Sequence, residues 1–208
     1  KLGIELNSMD QYSAFFPGVT TLGDLLERAG YHNILMIGSD ATFGGRRNYF
    51  TQHGNYEIND YVWAKENGKI PKNYSVFWGF EDRRLIEMVK EKLLEVSEED
   101  VPFNLTMLTV DSHFPDGCRC ELCEKTYDTD YKDAIACSSR QIAQLVAWIQ
   151  QQDFYANTTV IVTGDHLSMS AEMEKELGGY SHRRVYNCFL NAAAAPVKTQ
   201  ERVFTAMD

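Results

Sequence analysis

The sequence predicts an α/β fold with a mostly parallel central sheet flanked by helices, on three observations. Helix-like and strand-like patterns alternate along the chain. The strand-like segments are short apolar runs, such as Ile34-Leu35-Met36-Ile37 and Val160-Ile161-Val162, each followed by glycine or a polar residue. Two of them run into clusters rich in Asp and His. Alternation of this kind is the signature of α/β architecture. With 208 residues and 44% hydrophobic content there is material for one compact core, and residues 1–208 are expected to form a single domain.

The elements follow in order. Thr21-Leu22-Gly23-Asp24 has the pattern of a capping box. Leu22, Leu25, Leu26 and Ala29 continue it at helical spacing, and Gly30 stops the helix. Ile34 to Ile37 before Gly38 predicts a buried strand. Residues 39 to 80, rich in Gly, Asn and aromatics, predict loops and short helices, and irregular stretches of that length are often functional. Leu85, Met88, Val89 and Leu93 predict an amphipathic helix. A strand is expected from Phe103 to Val110. Ile135, Ile142, Leu145, Val146 and Ile149 mark a long helix starting near Asp130. Val160 to Val162 predicts a third buried strand and Val185 to Leu190 a fourth. All four strands are expected in one sheet, and a last helix is expected to begin near Phe204.

Charge and hydropathy exclude some functions. Thirty acidic against twenty basic side chains give a net charge of −10. Nucleic-acid binding needs clustered Lys and Arg, and no basic run exceeds the pairs Arg46-Arg47, Arg83-Arg84 and Arg183-Arg184. No segment approaches the ~18 apolar residues of a membrane helix, and no signal peptide is visible at Lys1. The chain as it stands is expected to be soluble.

The chemistry is expected where two strands end. One runs into Asp111-Ser112-His113-Phe114-Pro115 and the other into Gly164-Asp165-His166. Ligands of open α/β sheets bind beyond the carboxyl ends of strands. An adjacent Asp and His offer a carboxylate oxygen and an imidazole nitrogen, a mixed set that Mn²⁺ and Zn²⁺ accept. On spacing alone, a turn followed by a surface histidine accounts for the same residues.

The wider pattern resembles a known family. Val162-Thr163-Gly164-Asp165-His166 is similar to a metal motif of the sulfatase and alkaline-phosphatase superfamily. Thr109-Val110-Asp111-Ser112-His113-Phe114-Pro115 resembles the substrate-histidine motif of its branch of lipoteichoic-acid synthases and phosphoglycerol transferases. Asp40-Ala41-Thr42-Phe43-Gly44-Gly45-Arg46-Arg47-Asn48-Tyr49-Phe50 resembles the segment that gives that branch its phosphate-binding arginine. The order and approximate spacing of the three agree across nearly the whole chain. The insert after His113 resembles the transferases that decorate periplasmic glucans more than the lipoteichoic-acid synthases.

The resemblance implies an alkaline-phosphatase-like sandwich, truncated to the carboxy-terminal portion of a catalytic domain. It implies a two-step transfer in which a metal-bound Thr or Ser attacks a phosphatidylglycerol-type lipid donor. A glycan or teichoic-acid-type hydroxyl then accepts the group. Asp165 and His166 would hold a divalent metal, Mn²⁺ first, with Zn²⁺ or Mg²⁺ as alternatives. Arg46, rather than Arg47, would grip phosphate, and His113 would bind or protonate its oxygens. The family's nucleophile and one acidic ligand precede the matching stretch, and no residue here corresponds to them. Thr20-Thr21 belongs to a helix cap, and His182 reads as a loop histidine. The parent enzyme is expected at the extracytoplasmic face of the membrane, anchored by segments upstream.

Cys118, Cys120, Cys123 and Cys137 are candidates for disulfides, which suit an extracytoplasmic enzyme. A bridge from Cys118 to Cys120 would be strained, leaving 118–123 with 120–137 or 118–137 with 120–123. Structural zinc is the alternative, although the Cys-x-Cys-x₂-Cys spacing departs from paired knuckles. Cys188 is expected to be a packed core thiol. Two other functions fit parts of the pattern: a sulfatase, phosphatase or phosphodiesterase of the same fold, and a non-catalytic metal- or carbohydrate-binding module.

Overall fold

The computed structural model describes residues 12–178, 184–195 and 198. His182 and the helix expected near Phe204 lie outside them. The chain divides into two compact units, Lys1–Leu145 and Val146–Asp208.

The first unit is built on a three-stranded parallel sheet in the order β2-β1-β3, formed by β1 (His32–Ile37), β2 (Glu57–Asn59) and β3 (Phe103–Leu108). Met36 on the central strand pairs with Asn59 on one side and Met107 on the other. Ile34 to Ile37 are each at most 1% exposed. Leu35 and Ile37 pack with Ala41, Tyr56 and Val110, and with the partly buried Phe50, Ile58 and Leu108. β2 was not expected; three residues are too short to carry a readable alternation.

Helix α1 (Leu22–Arg28) begins with the expected capping box, Thr21 Oγ1 accepting from the Asp24 amide and Asp24 accepting from the Thr21 amide. Gly30 ends it at φ +82°. Its buried residue is Gly23, however, while Leu22 and Leu25 are exposed. A Cβ on Gly23 would stand 2.4 Å from the His53 carbonyl oxygen. Close backbone approach, not the leucine stripe, therefore seats this helix. Helices α2 (Arg46–Gln52) and α3 (Tyr61–Glu66) are short helices of the kind expected within residues 39 to 80. Helix α4 (Asp82–Ser97) packs against β1 and β3 and buries Leu85, Met88, Val89 and Leu93, as its pattern predicts. Helix α5 (Asp130–Ile149) starts where expected, but its most buried positions include Ala134, Cys137, Ser138 and Gln141 alongside Leu145 and Ile149. Ile135, Ile142 and Val146 are half-buried. Small and polar residues take the centre of this face because they meet a carboxylate and a cysteine cluster rather than an oily layer. No described helix is long and apolar enough to cross a membrane.

The second unit contains β4 (Val160–Thr163), helix α6 (Ala171–Glu176) and β5 (Asn187–Leu190). Strands β4 and β5 pair antiparallel, Val160 opposite Leu190 and Thr163 opposite Asn187. The expected arrangement of four strands hydrogen-bonded in one sheet thus differs from the described pairing. Val160 and Val162 are half-buried and Ile161 is 52% exposed. This is the alternation of a two-stranded ribbon covered on one side, not a fully buried strand. Cys188 on β5 is half-buried, not the core thiol expected.

Candidate functional site

Because β1, β2 and β3 are parallel, their carboxyl ends share one edge of the sheet. Ser39-Asp40, Asp60 and Asp111 emerge there, within two or three residues of the strand ends.

The segment after β1 is pinned by charge. Asp60 is 1% exposed. It accepts hydrogen bonds from the Ala41 amide (2.9 Å) and, as N-cap of α3, from the Trp63 amide (3.0 Å). It also pairs with the Arg47 guanidinium, whose Nε donates to Thr42 Oγ1 at 3.2 Å. Arg47 is thus committed to the fold. Asp60→Asn would keep an acceptor oxygen for only one of the two amides and leave Arg47 with the more distant, half-exposed Asp40 (3.6 Å) as its charge partner. A loss of about 1 to 3 kcal/mol is expected, read as a lower urea midpoint; an unchanged midpoint would refute the clamp.

Arg46 is the first residue of α2. Gly44 and Gly45 precede it with φ of +67° and +72°, a left-handed pair that glycine adopts without strain. The Arg46 guanidinium lies over the Phe43 ring, 5.2 Å from its centroid. Phe43 meets Trp78 edge-on at 5.1 Å, and Trp78 lies against the His113 ring at 4.4 Å, tilted by 43°. A continuous line of contacting groups therefore runs from Arg46 to His113. Trp78 is held there by a backbone crossing. Gly79 has the Gly38 carbonyl oxygen only 2.0 Å from where a Cβ would sit, and the Phe80 amide donates to that oxygen at 2.9 Å.

His113 follows β3 in a turn closed by its amide donating to the Val110 carbonyl. Its Nδ1 donates to the Phe114 carbonyl oxygen at 2.6 Å, leaving Nε2 as the available nitrogen. Under this turn lie two buried carboxylates. Asp82, the first residue of α4, accepts from the amides of Val110 (2.7 Å) and Asp111 (3.2 Å) and from Ser138 Oγ (3.2 Å). Asp111 in return accepts from the Asp82 amide at 3.1 Å. Burial, then the neighbouring Asp82 charge, pushes the Asp111 carboxyl up to about 7, and burial raises Asp82 as well.

Asp165 and His166 lie in the second unit, both exposed, in the turn after β4. His166 Nδ1 donates to the Leu167 carbonyl at 2.8 Å, so Nε2 is the nitrogen available to a ligand. Asp165 Oδ2 is 3.5 Å from that nitrogen. Two ligand atoms bound at about 2.1 Å to one tetrahedral ion would stand about 3.4 Å apart, so this pair has the spacing to share a divalent cation.

The cysteines gather in the first unit. Cys120, Cys123 and Cys137 bring their sulfurs within 4.8 Å of one another, and Cys118 stays outside that group. All stand as thiols, and burial, followed by the Asp111 charge, pushes the Cys118 thiol up to about 11.

Sequence reasoning overlooked Trp78, Asp60 and the Asp82–Asp111 pair. The run Phe77-Trp78-Gly79-Phe80 carried a signal in its glycine set among aromatics. Asp82 and Asp60 read simply as helix-start carboxylates.

Comparison with known proteins agrees with this architecture. The profile of the Sulfatase family matches residues 5–191. The phosphoglycerol transferase I of Xanthomonas axonopodis pv. citri (strain 306) is 32% identical over 208 aligned residues, covering 97% of this chain and 29% of that protein. The phosphoglycerol transferase I of Citrobacter koseri is 31% identical over 191, covering 88% and 24%. The chain thus spans less than a third of these relatives' length. An alkaline phosphatase superfamily protein from Vibrio parahaemolyticus superposes with a TM-score of 0.68 at 18% identity, over 89% of this chain and 45% of that one. The lipoteichoic acid synthase LtaP from Listeria monocytogenes gives 0.60 at 18% identity, over 76% and 39%. This chain shares the fold of both and belongs to the sulfatase family.

Proposed function

We propose that this chain carries the substrate-gripping segments and part of the metal site of a phosphoglycerol transferase working at the extracytoplasmic face of a membrane. The donor is a phosphatidylglycerol-type lipid, and the acceptor is a hydroxyl of a glycan or a teichoic-acid-type polymer. The supporting observation is the line of contacts Arg46–Phe43–Trp78–His113. It joins the two sequence segments that the reaction needs together, a cation for phosphate and an imidazole for proton transfer.

Arg46 offers a planar fork of N–H donors that matches two phosphate oxygens. Phe43, behind the guanidinium, limits how far it swings. His113 presents Nε2, which in the neutral ring accepts a proton from an attacking hydroxyl and in the protonated ring donates to a phosphoryl oxygen. Trp78 and the exposed Phe43 and Phe77 give the glycerol or sugar carbons an apolar wall. Asp165 and His166 would hold the divalent ion, Mn²⁺ in the first instance, through Oδ2 and Nε2. When bound, such an ion neutralises phosphoryl charge and lowers the pKa of a hydroxyl nucleophile.

The test is glycerol-1-phosphate binding, followed by NMR or calorimetry. Arg46→Lys keeps the charge and loses the fork, and is expected to weaken binding by roughly tenfold. In a chain that also carries a nucleophile, transfer should fall by a similar factor. Unchanged binding in both Arg46→Lys and Arg46→Ala would remove the role. Product analysis with a glycan present separates transfer from hydrolysis; water as the sole acceptor would favour a phosphodiesterase of the same fold.

A further inference from the structure

We propose that Cys120, Cys123 and Cys137 form a trithiolate site for a soft divalent cation, Zn²⁺, which fastens the loop after His113 onto helix α5. The site is independent of the transferase reading.

The sulfur positions carry the argument. Cys120 Sγ is 3.7 Å from Cys123 Sγ and 4.0 Å from Cys137 Sγ, and the three lie within 4.8 Å of one another. Thiolates bound tetrahedrally to one zinc at about 2.3 Å stand about 3.8 Å apart. A bridge between any two of the three would strand the third, unless it reached Cys118, whose sulfur lies outside the group.

The surroundings are built for thiolates. Cys120-Glu121-Leu122-Cys123 folds as a knuckle, with the Cys123 amide donating to the Cys120 carbonyl at 3.0 Å. The Cys120 amide donates to Cys123 Sγ at 3.2 Å. Gln141, 6% exposed and one turn after Cys137 on α5, aims its side-chain amide at Cys137 Sγ (3.4 Å) and Cys120 Sγ (3.8 Å). Its N–H groups have sulfur as their partner, the second-layer hydrogen bonding that orients metal ligands. Arg140 donates to the Leu122 carbonyl inside the knuckle at 3.3 Å. A soft thiolate donor set selects zinc over harder cations such as Mg²⁺ and Mn²⁺.

Cys118 is the natural candidate for a fourth ligand but is placed otherwise. Its amide donates to the Asp111 carbonyl at 2.7 Å, tying it to the end of β3, and its sulfur lies outside the trio. The fourth position is therefore assigned to solvent. Binding replaces three S–H protons with one cation, and the released protons go to water.

The 208-residue chain, isolated without chelator or reductant from an oxidising compartment, is the material for the test. Mass-spectrometric metal analysis should find about one zinc per chain, with sulfur neighbours at about 2.3 Å by X-ray absorption. Cobalt substitution should give sulfur-to-cobalt charge-transfer absorption. Cys123→Ser and Cys137→Ser should each lower retained zinc about tenfold or more. Cys118→Ser, Asp165→Asn and His166→Asn should leave it in place. Cys123 is half-buried in the loop, so its serine variant remains informative if the buried Cys137 variant fails to fold. A disulfide between any two of the three cysteines in the isolated protein overturns the proposal, as does zinc content that Cys123→Ser leaves unchanged.

Discussion

Asp82→Ala is expected to destabilise the first unit by about 3 to 5 kcal/mol, the cost of stripping a buried carboxylate from donors that keep no other partner. The carboxylate is fully buried and joins three segments: it begins α4, accepts from two amides after β3 and accepts from Ser138 on α5. Alanine leaves all three donors dry. Urea unfolding should show the loss as a lower midpoint. Asp111→Asn should act in the opposite direction. Its carboxyl titrates near 7 in the fold against 3.8 for the unperturbed group. Between about pH 4 and 7 the folded state therefore holds more protons than the unfolded one, and ∂ΔG/∂pH is negative. This contribution is fully present below the unfolded pKa and is lost as pH rises through 7. Asparagine keeps an oxygen to accept the Asp82 amide and carries no charge to lose. The variant should gain on the order of 1 to 3 kcal/mol at pH 8 and show a flatter stability slope between pH 5 and 8. Parallel slopes in variant and parent would show that Asp111 does not titrate in this window.

The parts of this fold legible in the sequence are those fixed by local rules. The Thr21–Asp24 capping box, the Leu85–Leu93 stripe and the Ile34–Ile37 run each state their structure within a few residues. The Asp-His and Arg-containing motifs stood out from the sequence only because resemblance supplied their context. Pairing was not legible. Val160-Ile161-Val162 reads as a buried strand, yet it pairs with the antiparallel β5 and leaves Ile161 exposed, since a short apolar run states neither its partner nor which face is covered. Trp78 and Asp60 were opaque for a related reason. Their roles depend on residues 13 to 35 positions away in the chain, Arg47, Ala41 and His113 among them. The cysteine trio lay between the two cases: the Cys120-x₂-Cys123 knuckle is local, and Cys137 joins it only because α5 folds back over the loop.

The 208-residue chain by itself is expected to turn over no phosphodiester. Covalent transfer needs a metal-activated hydroxyl, and a metal site of this type typically uses about four ligands. On the proposed reading Asp165 and His166 would supply two, with exposed side chains. Among the described residues, the one cluster of three metal-ligating side chains is the cysteine trio, which carries no hydroxyl. Two ligands on an exposed turn leave most of an ion's charge to water, so Mn²⁺ should bind with a Kd on the order of millimolar. If Arg46 and His113 grip phosphate as proposed, phosphate binding and turnover should separate. The measurement is release of nitrophenol from a bis(nitrophenyl) phosphate with added Mn²⁺, beside a longer chain that includes a motif-matched Thr or Ser. The shorter chain should be slower by about a thousandfold or more, the scale on which losing a nucleophile acts. Metal-dependent turnover by the 208 residues alone would place the nucleophile within them. Ser112 beside His113, Thr163 at the end of β4 and Ser168 after the metal pair would then be the hydroxyls to replace, and the alanine variant that abolishes a trapped phosphoryl adduct would identify it.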